Sequence, residues 1–298
     1  MKTTTRTQTA ADFAWAGQHE QAIAAATAAL KRKTIDADER MTLLDLRSES
    51  YIAQGDLKRA GDDAKAMKAL ARQEGGAALQ ARALCRECFV QVRDGNARRG
   101  TQTGAAAIKA AERSGVPELI AQALWRHAMA ASSARIDLRT ATRNATRAAA
   151  MFERLGDASL QGRALHTLSS IMWASLDIVA AKEAATEALA LARRSGDLFG
   201  QGAALNNIAL ADTDIAQALR LFGQALDAYK TAGYVLSAAS AVANIGATYG
   251  DLGLWRRARR QTLEALDLAR RAGAQALQTV PLWNLAEFAI VEGSLDDA

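Results

Sequence analysis

The apolar positions of the chain fall into helical tracts in which large and small residues keep fixed places. Between 244 and 266, Gly246, Ala258 and Ala265 stand among the large apolar residues Tyr249, Trp255 and Leu263. Alanine loses no side-chain entropy in a helix, whereas proline breaks the hydrogen-bond ladder and occurs only at Pro117 and Pro281. The pattern predicts helix along the chain, with no strand signal.

The tracts recur at a fixed interval. Gly75, Gly115, Gly156, Gly196, Gly233 and Gly273 each follow a basic last turn, 40, 41, 40, 37 and 40 residues apart, as suits a helix ending on a residue with positive φ. Eleven residues further on stand Arg86, Arg126, Thr167, Asn207, Asn244 and Asn284. A second helix is announced by one turn in five versions: GQHEQA (17–22), GDLKRA (55–60), GNARRG (95–100), GLWRRA (253–258) and GSLDDA (293–298). Seven residues past the first four come Ala29, Met67, Ala107 and Ala265, so small or apolar residues mark the places where helices approach closely.

This order resembles the tetratricopeptide repeat over nearly the whole chain. The match is strongest at Asn244, Ile245, Gly246, Tyr249, Gly253, Trp255, Ala258, Ala265 and Leu266, and again at Phe13, Gly17, Ala22, Ala29 and Leu30. The usual unit has about 34 residues; the spacing of about 40 here is similar to the long-repeat bacterial form in helical regions of nucleotide cyclases and LuxR-type regulators. The resemblance implies an all-α, right-handed superhelical solenoid of antiparallel helix pairs. Seven full repeats (1–34, 35–75, 76–115, 116–156, 157–196, 197–233, 234–273) and a partial eighth (274–298) would form one domain. The unit at 200–230 lacks about three residues in ALADTDIAQAL and the fourth has one extra near Arg135, which predicts local kinks. The eighth stops at Ala298, where its second helix should open and where Trp283, Leu285, Phe288 and Ile290 would lack cover. The expectation is the N-terminal part of a longer protein.

In the tetratricopeptide family the first helices line a concave groove. Carried over place by place, the resemblance selects Arg82, Arg86 and Arg93 in the third repeat, Trp125 and Arg126 in the fourth, and Arg163, His166 and Trp173 in the fifth. It then selects Asn206, Asn207, Asn244, Trp283 and Asn284. Arginines there suit carboxylates or phosphates, and asparagines suit a peptide backbone; the alternative is that these side chains are solvated or bonded within the solenoid. The implied function is a protein- or peptide-binding scaffold or sensory module of a bacterial signalling protein, with a partner of acidic character. Self-association through the C-terminal end, giving a homodimer, is the alternative.

Charge adds a third reading. The net charge of +5, the pI of 9.4, the stripe Arg139, Arg143, Arg147 and the RRARR run at 256–260 bring nucleic acid into consideration through the convex face. The 5% aromatic content and the absence of a nucleic-acid motif weigh against it. Catalytic chemistry finds no footing: His19, His127 and His166 lie in different units, and no phosphate-binding loop or metal-ligand set is present, so neither cofactor nor metal is expected. Cys85 and Cys88 form a lone CxxC, but Cys88 occupies the small-residue place of Gly246 and reads as packing. The N-terminus lacks the apolar core of an export signal, and the charge-free run from Thr231 to Gly250 contains Ser237, Ser240 and Asn244. A cytoplasmic protein without a membrane span is expected.

Overall fold

The computed structural model describes residues 6–32, 34–271, 274–291 and 293. These residues form fifteen helices, fourteen of them in seven hairpins. The hairpins are α1 (Arg6–Trp15) with α2 (His19–Leu30), α3 (Ala37–Gln54) with α4 (Leu57–Glu74), and α5 (Ala77–Arg93) with α6 (Ala97–Ser114). Next come α7 (Pro117–Ala134) with α8 (Leu138–Leu155), α9 (Ala158–Ala174) with α10 (Ile178–Ser195), and α11 (Leu198–Leu210) with α12 (Ile215–Thr231). Helix α13 (Val235–Asp251) pairs with α14 (Trp255–Arg271), and α15 (Gln275–Val291) opens a further unit. The architecture is the all-α superhelical solenoid that the repeat pattern predicts.

Local chemistry fixes the ends of these helices. Asp36, Asp56, Asp137, Asp157, Asp177, Asp197 and Asp214 each precede a helix and accept a backbone N–H three residues on, which satisfies a donor the helix cannot. Gly115, Gly156 and Gly196 end their helices in the left-handed region. Gly273, and the turn residues 294–298, lie outside the described residues.

Each first helix packs on its own partner and on the first helix of a neighbouring hairpin, and the small residues sit where these axes cross. Ala29, Ala107, Ala258 and Ala265 are fully buried or nearly so. A Cβ on Gly104 would stand 2.8 Å from the Cα of His127, and one on Gly246 would stand 2.7 Å from Oγ1 of Thr262. Cys88 is packed in the same manner, its thiol directed at the Gly100 carbonyl at 3.2 Å. The broad contact between successive first helices lapses between α11 and α13, because the deletion in the sixth unit cuts α11 to 13 residues.

Two features lie outside the repeat pattern. The turn between α9 and α10 places Leu176 at φ 63°, where the corresponding turns at Gly17, Gly55, Gly95 and Gly253 use glycine. A side chain there costs about 1–2 kcal/mol. In addition, α13 touches α3, ten helices earlier, so the superhelix meets itself after one circuit. No helix among the described residues is long and apolar enough to cross a membrane.

The packing account predicts opposite effects for two glycines. Gly104→Ala should lower stability by about 1–3 kcal/mol, because the new methyl meets the backbone of α7. Gly223→Ala, where the added Cβ meets nothing within 4 Å, should raise it by roughly 0.5–1 kcal/mol. Denaturant unfolding of the two variants checks both signs.

Candidate functional site

The contact between α13 and α3 is a polar and aromatic seam. Nε2–H of His19 donates to the Ala232 carbonyl at 2.9 Å, and its Nδ1 lies 3.3 Å from the Ser50 hydroxyl. The Tyr234 ring meets the His19 ring edge-on at 5.3 Å, and the Tyr234 hydroxyl donates to Oε1 of Glu49 at 2.9 Å. Backbone reaches backbone only because Gly17 and Gly233 face each other: a Cβ on Gly233 would lie 2.7 Å from the Gly17 carbonyl oxygen.

Inside the seam is a recessed chamber of about 200 Å³. Its apolar walls include Phe89 of α5, Trp125 and Met129 of α7, and Phe199 of α11. Its polar lining comprises Glu49, Arg93, Arg126, Arg163, His166 and the hydroxyls of Ser132, Ser133 and Ser170. The guanidinium of Arg126 lies 4.0 Å from the centres of both the Phe89 and Trp125 rings, within cation–π range of each. Trp125 is itself fixed by a 2.9 Å bond from its indole N–H to Thr167.

The groove residues selected from sequence separate into four groups. Arg82, Arg86 and Arg163 are ion-paired within the chain: Arg82 with Asp38 at 2.8 Å, Arg86 with Asp45 at 2.7 Å and Glu49 at 2.5 Å, and Arg163 with both oxygens of Asp197 at 2.7 and 3.0 Å. The asparagines are also engaged: Asn207 donates to Ser170 at 2.9 Å and Asn244 to Asn206 at 2.9 Å, while the Asn284 amide nitrogen is buried without a partner among the described residues. Trp173 and Trp283 are exposed away from the chamber. Arg93 and Arg126 make no hydrogen bond or ion pair among the described residues and, with Trp125 and His166, are the selected residues left facing open space.

Burial sets the protonation states. It pushes the Glu49 carboxyl up, but the charges of Arg86, Arg126 and Arg163 more than reverse this and bring it to about 2. Burial lowers Arg93 and Arg126 from the usual guanidinium range, the mark of cations short of a counter-ion. His166 falls to about 4 through burial and the nearby Arg163, and is neutral at pH 7. Both thiols, Cys85 and Cys88, are buried and pushed up to about 12, away from the thiolate that redox chemistry needs. No group of His, Cys, Asp and Glu among the described residues could hold a metal ion.

Other surfaces are less convergent. A wider outer recess of about 790 Å³ carries Lys58, Arg59, Asp62 and Lys65, whose charges pair with one another and with Asp56. Arg139, Arg143 and Arg147 of α8 and Arg256, Arg257 and Arg260 of α14 are exposed on second helices, apart from the chamber.

Sequence reasoning missed Glu49, Tyr234, Phe89, Met129 and Phe199. Asp45 and Glu49, four apart on α3, are the acidic counterpart of the arginine series, and including the second repeat in the groove would have found them. The seam had no local signal.

No protein-family model matches the sequence, and no curated protein matches it. Solved structures match its fold. A Rap protein complexed with Competence and Sporulation Factor has a TM-score of 0.68 at 13% identity, covering 98% of this chain and 88% of that one. NprR in complex with its cognate peptide NprX has a TM-score of 0.69 at 11% identity, covering 98% and 86%. A signal transduction ATPase with a tetratricopeptide repeat sensor, from Pyrococcus horikoshii, has a TM-score of 0.53 at 13% identity, covering 93% and 44%. At these identities the likeness is one of fold, a tetratricopeptide-like solenoid.

The buried histidines predict acid sensitivity. His19, His127 and His166 are all lowered by burial, so each contributes stability above the ordinary histidine value of 6.5 and loses it as pH falls below, down to about 4 for His166. The melting temperature should fall between pH 7.5 and 5, and His166→Gln should remove a part worth about 1–3 kcal/mol. A flat or rising profile would contradict the assignment; Glu49 does not enter, because its share is lost only below its ordinary 4.5.

Proposed function

We propose that this chain is a peptide- or protein-binding module of a regulatory protein, and that it binds through the enclosed interior of its superhelix. The observation that carries the reading is the chamber: aromatic walls, converging hydroxyls and two guanidiniums without a carboxylate partner, drawn from consecutive repeats. The fold supports it, since the solved structures it resembles include NprR in complex with its cognate peptide NprX and a Rap protein complexed with Competence and Sporulation Factor.

Charge favours an acidic ligand. Arg93, Arg126 and Arg163 line the chamber against Glu49, and Asp197 neutralises Arg163, which leaves one positive charge in excess. A buried cation without a counter-ion is costly, and an entering carboxylate would relieve that cost and form charge-assisted bonds. The volume holds roughly six or seven waters, the size of one residue, so the chamber takes a side chain or chain end while the rest of a ligand lies outside it. The asparagine pairs, occupied within the chain, would serve a peptide backbone only by exchanging partners. The reading places the segment in the cytoplasm as a non-catalytic part of a signalling protein.

A second reading, self-association, is supported by α15. Val280, Leu282, Trp283, Ile290 and Val291 are exposed along it, Trp283 at 73%. Such a patch on one helix is a common mark of an interface.

Each reading has its own test. A synthetic library of short peptides should yield ligands enriched in Asp or Glu. Arg126→Gln should weaken them roughly tenfold or more, while Arg143→Gln on the outer face changes little. Equal affinity for the wild type and Arg126→Gln, with both folded by circular dichroism, would remove the interior from the mechanism. For self-association, sedimentation should show a dimer that Trp283→Asp abolishes; a monomer at all concentrations would exclude it.

A further inference from the structure

The turn between α9 and α10 departs from the repeat in two ways at once. Where four equivalent turns carry Gly17, Gly55, Gly95 and Gly253 and the α7–α8 turn carries the polar Arg135 at φ 52°, this one carries the apolar Leu176, held in the left-handed region at φ 63°. Its side chain is 84% exposed, so the strained backbone is not compensated by burial. A strained residue that makes no packing contribution is the pattern expected where a side chain is displayed for use.

Leu176 does not stand alone. Val179, on the first turn of α10, is 71% exposed, and Trp173 and Ile178 flank it as exposed side chains. The next hairpin continues the apolar surface with Leu210 and Ile215 on either side of its own turn. The two turns are neighbours in space, because Lys182 of α10 bonds Asp212 of the α11–α12 turn at 2.9 Å. The result is a strip of large apolar side chains along one edge of the solenoid, away from the chamber.

Its border is acidic. Asp177 and Asp214 are exposed, and their carboxylates accept only backbone N–H groups of their own helices among the described residues. Asp212 adds a third carboxylate, and Lys182 balances one of the three. Two copies of this strip set face to face would bring aspartates together, and an anionic lipid surface would meet the same charges. A partner carrying Lys or Arg beside its apolar residues meets complementary charge.

We infer that this edge docks a basic amphipathic helix of a partner protein, with Leu176 and Val179 as its apolar anchors and Asp177 and Asp214 as its charge contacts. The helix lays its apolar face across the two turns, and its lysines or arginines reach the aspartates at the border.

The substitution Leu176→Gly separates this role from a structural one. It removes the anchor and also the backbone strain, so the variant should melt at a temperature equal to or above that of the wild type while losing binding. The probe is a labelled amphipathic peptide of Leu and Lys, about 14 residues long, with a Leu and Glu peptide of the same spacing as its control. Fluorescence anisotropy should show saturable binding of the Lys peptide, weakened roughly tenfold or more by Leu176→Gly and by Val179→Ser, and no binding of the Glu peptide. Wild-type affinity in Leu176→Gly would overturn the inference, as would equal binding of the two peptides. So would a dimer in sedimentation that Leu176→Gly dissolves, which assigns the strip to a second copy, or binding to vesicles of anionic lipid that Leu176→Gly abolishes, which assigns it to a membrane surface.

Discussion

One carboxylate holds the circuit of this solenoid together. Glu49 stands in the interior on α3 and is bound by Arg86 from the next hairpin and by Tyr234 at the start of α13. Removing a carboxylate from water is costly, and the surrounding arginines reverse that cost so far that the group titrates near 2. Arg86, 5% exposed, is tied to Asp45 as well, so both members of the central pair are saturated. Arg93 and Arg126 are then left without ion-pair partners, and the chamber owes its positive character to that remainder.

The carboxylate can act in this way only because the helices follow a path that closes. Alanines and glycines at the crossings let successive hairpins approach, and repetition of that approach curves the solenoid until α13 meets α3. At the meeting point the same device returns in another form. Gly17 and Gly233 end elements of their own hairpins, and both lack the Cβ that would keep the two turns apart. His19, neutral through burial, then fills the join with hydrogen bonds to Ala232 and Ser50.

Most of the architecture was legible because a repeat states its packing rule several times over. The places of Ala107, Gly246, Ala258 and Ala265 recur at one spacing, and the structure puts each at a close contact. The site was legible only in part. Family geometry identified Arg86, Arg126 and Arg163 as inward-facing, but whether an inward arginine is free or paired depends on the hairpin beside it: Arg163 is consumed by Asp197 and Arg126 is not. The seam could not be read, since Gly17 and Gly233 carry ordinary turn signals and nothing local links residues more than two hundred positions apart. Leu176 is a different case, because a leucine where four other turns use glycine is visible as a departure, and its meaning depends on exposure.

The interior, the seam and the charge balance stand or fall with closure of the circuit. Distances between spin labels placed at Glu20 and Lys230, two exposed positions beside the seam, test it directly. The buried Cys85 and Cys88 thiols should leave the labelled positions distinct. A closed circuit predicts one narrow population at short distance, which Glu49→Gln or Tyr234→Phe broadens toward longer separations. A broad, long distribution in the unsubstituted protein, unchanged by either substitution, would show an open solenoid and contradict the account.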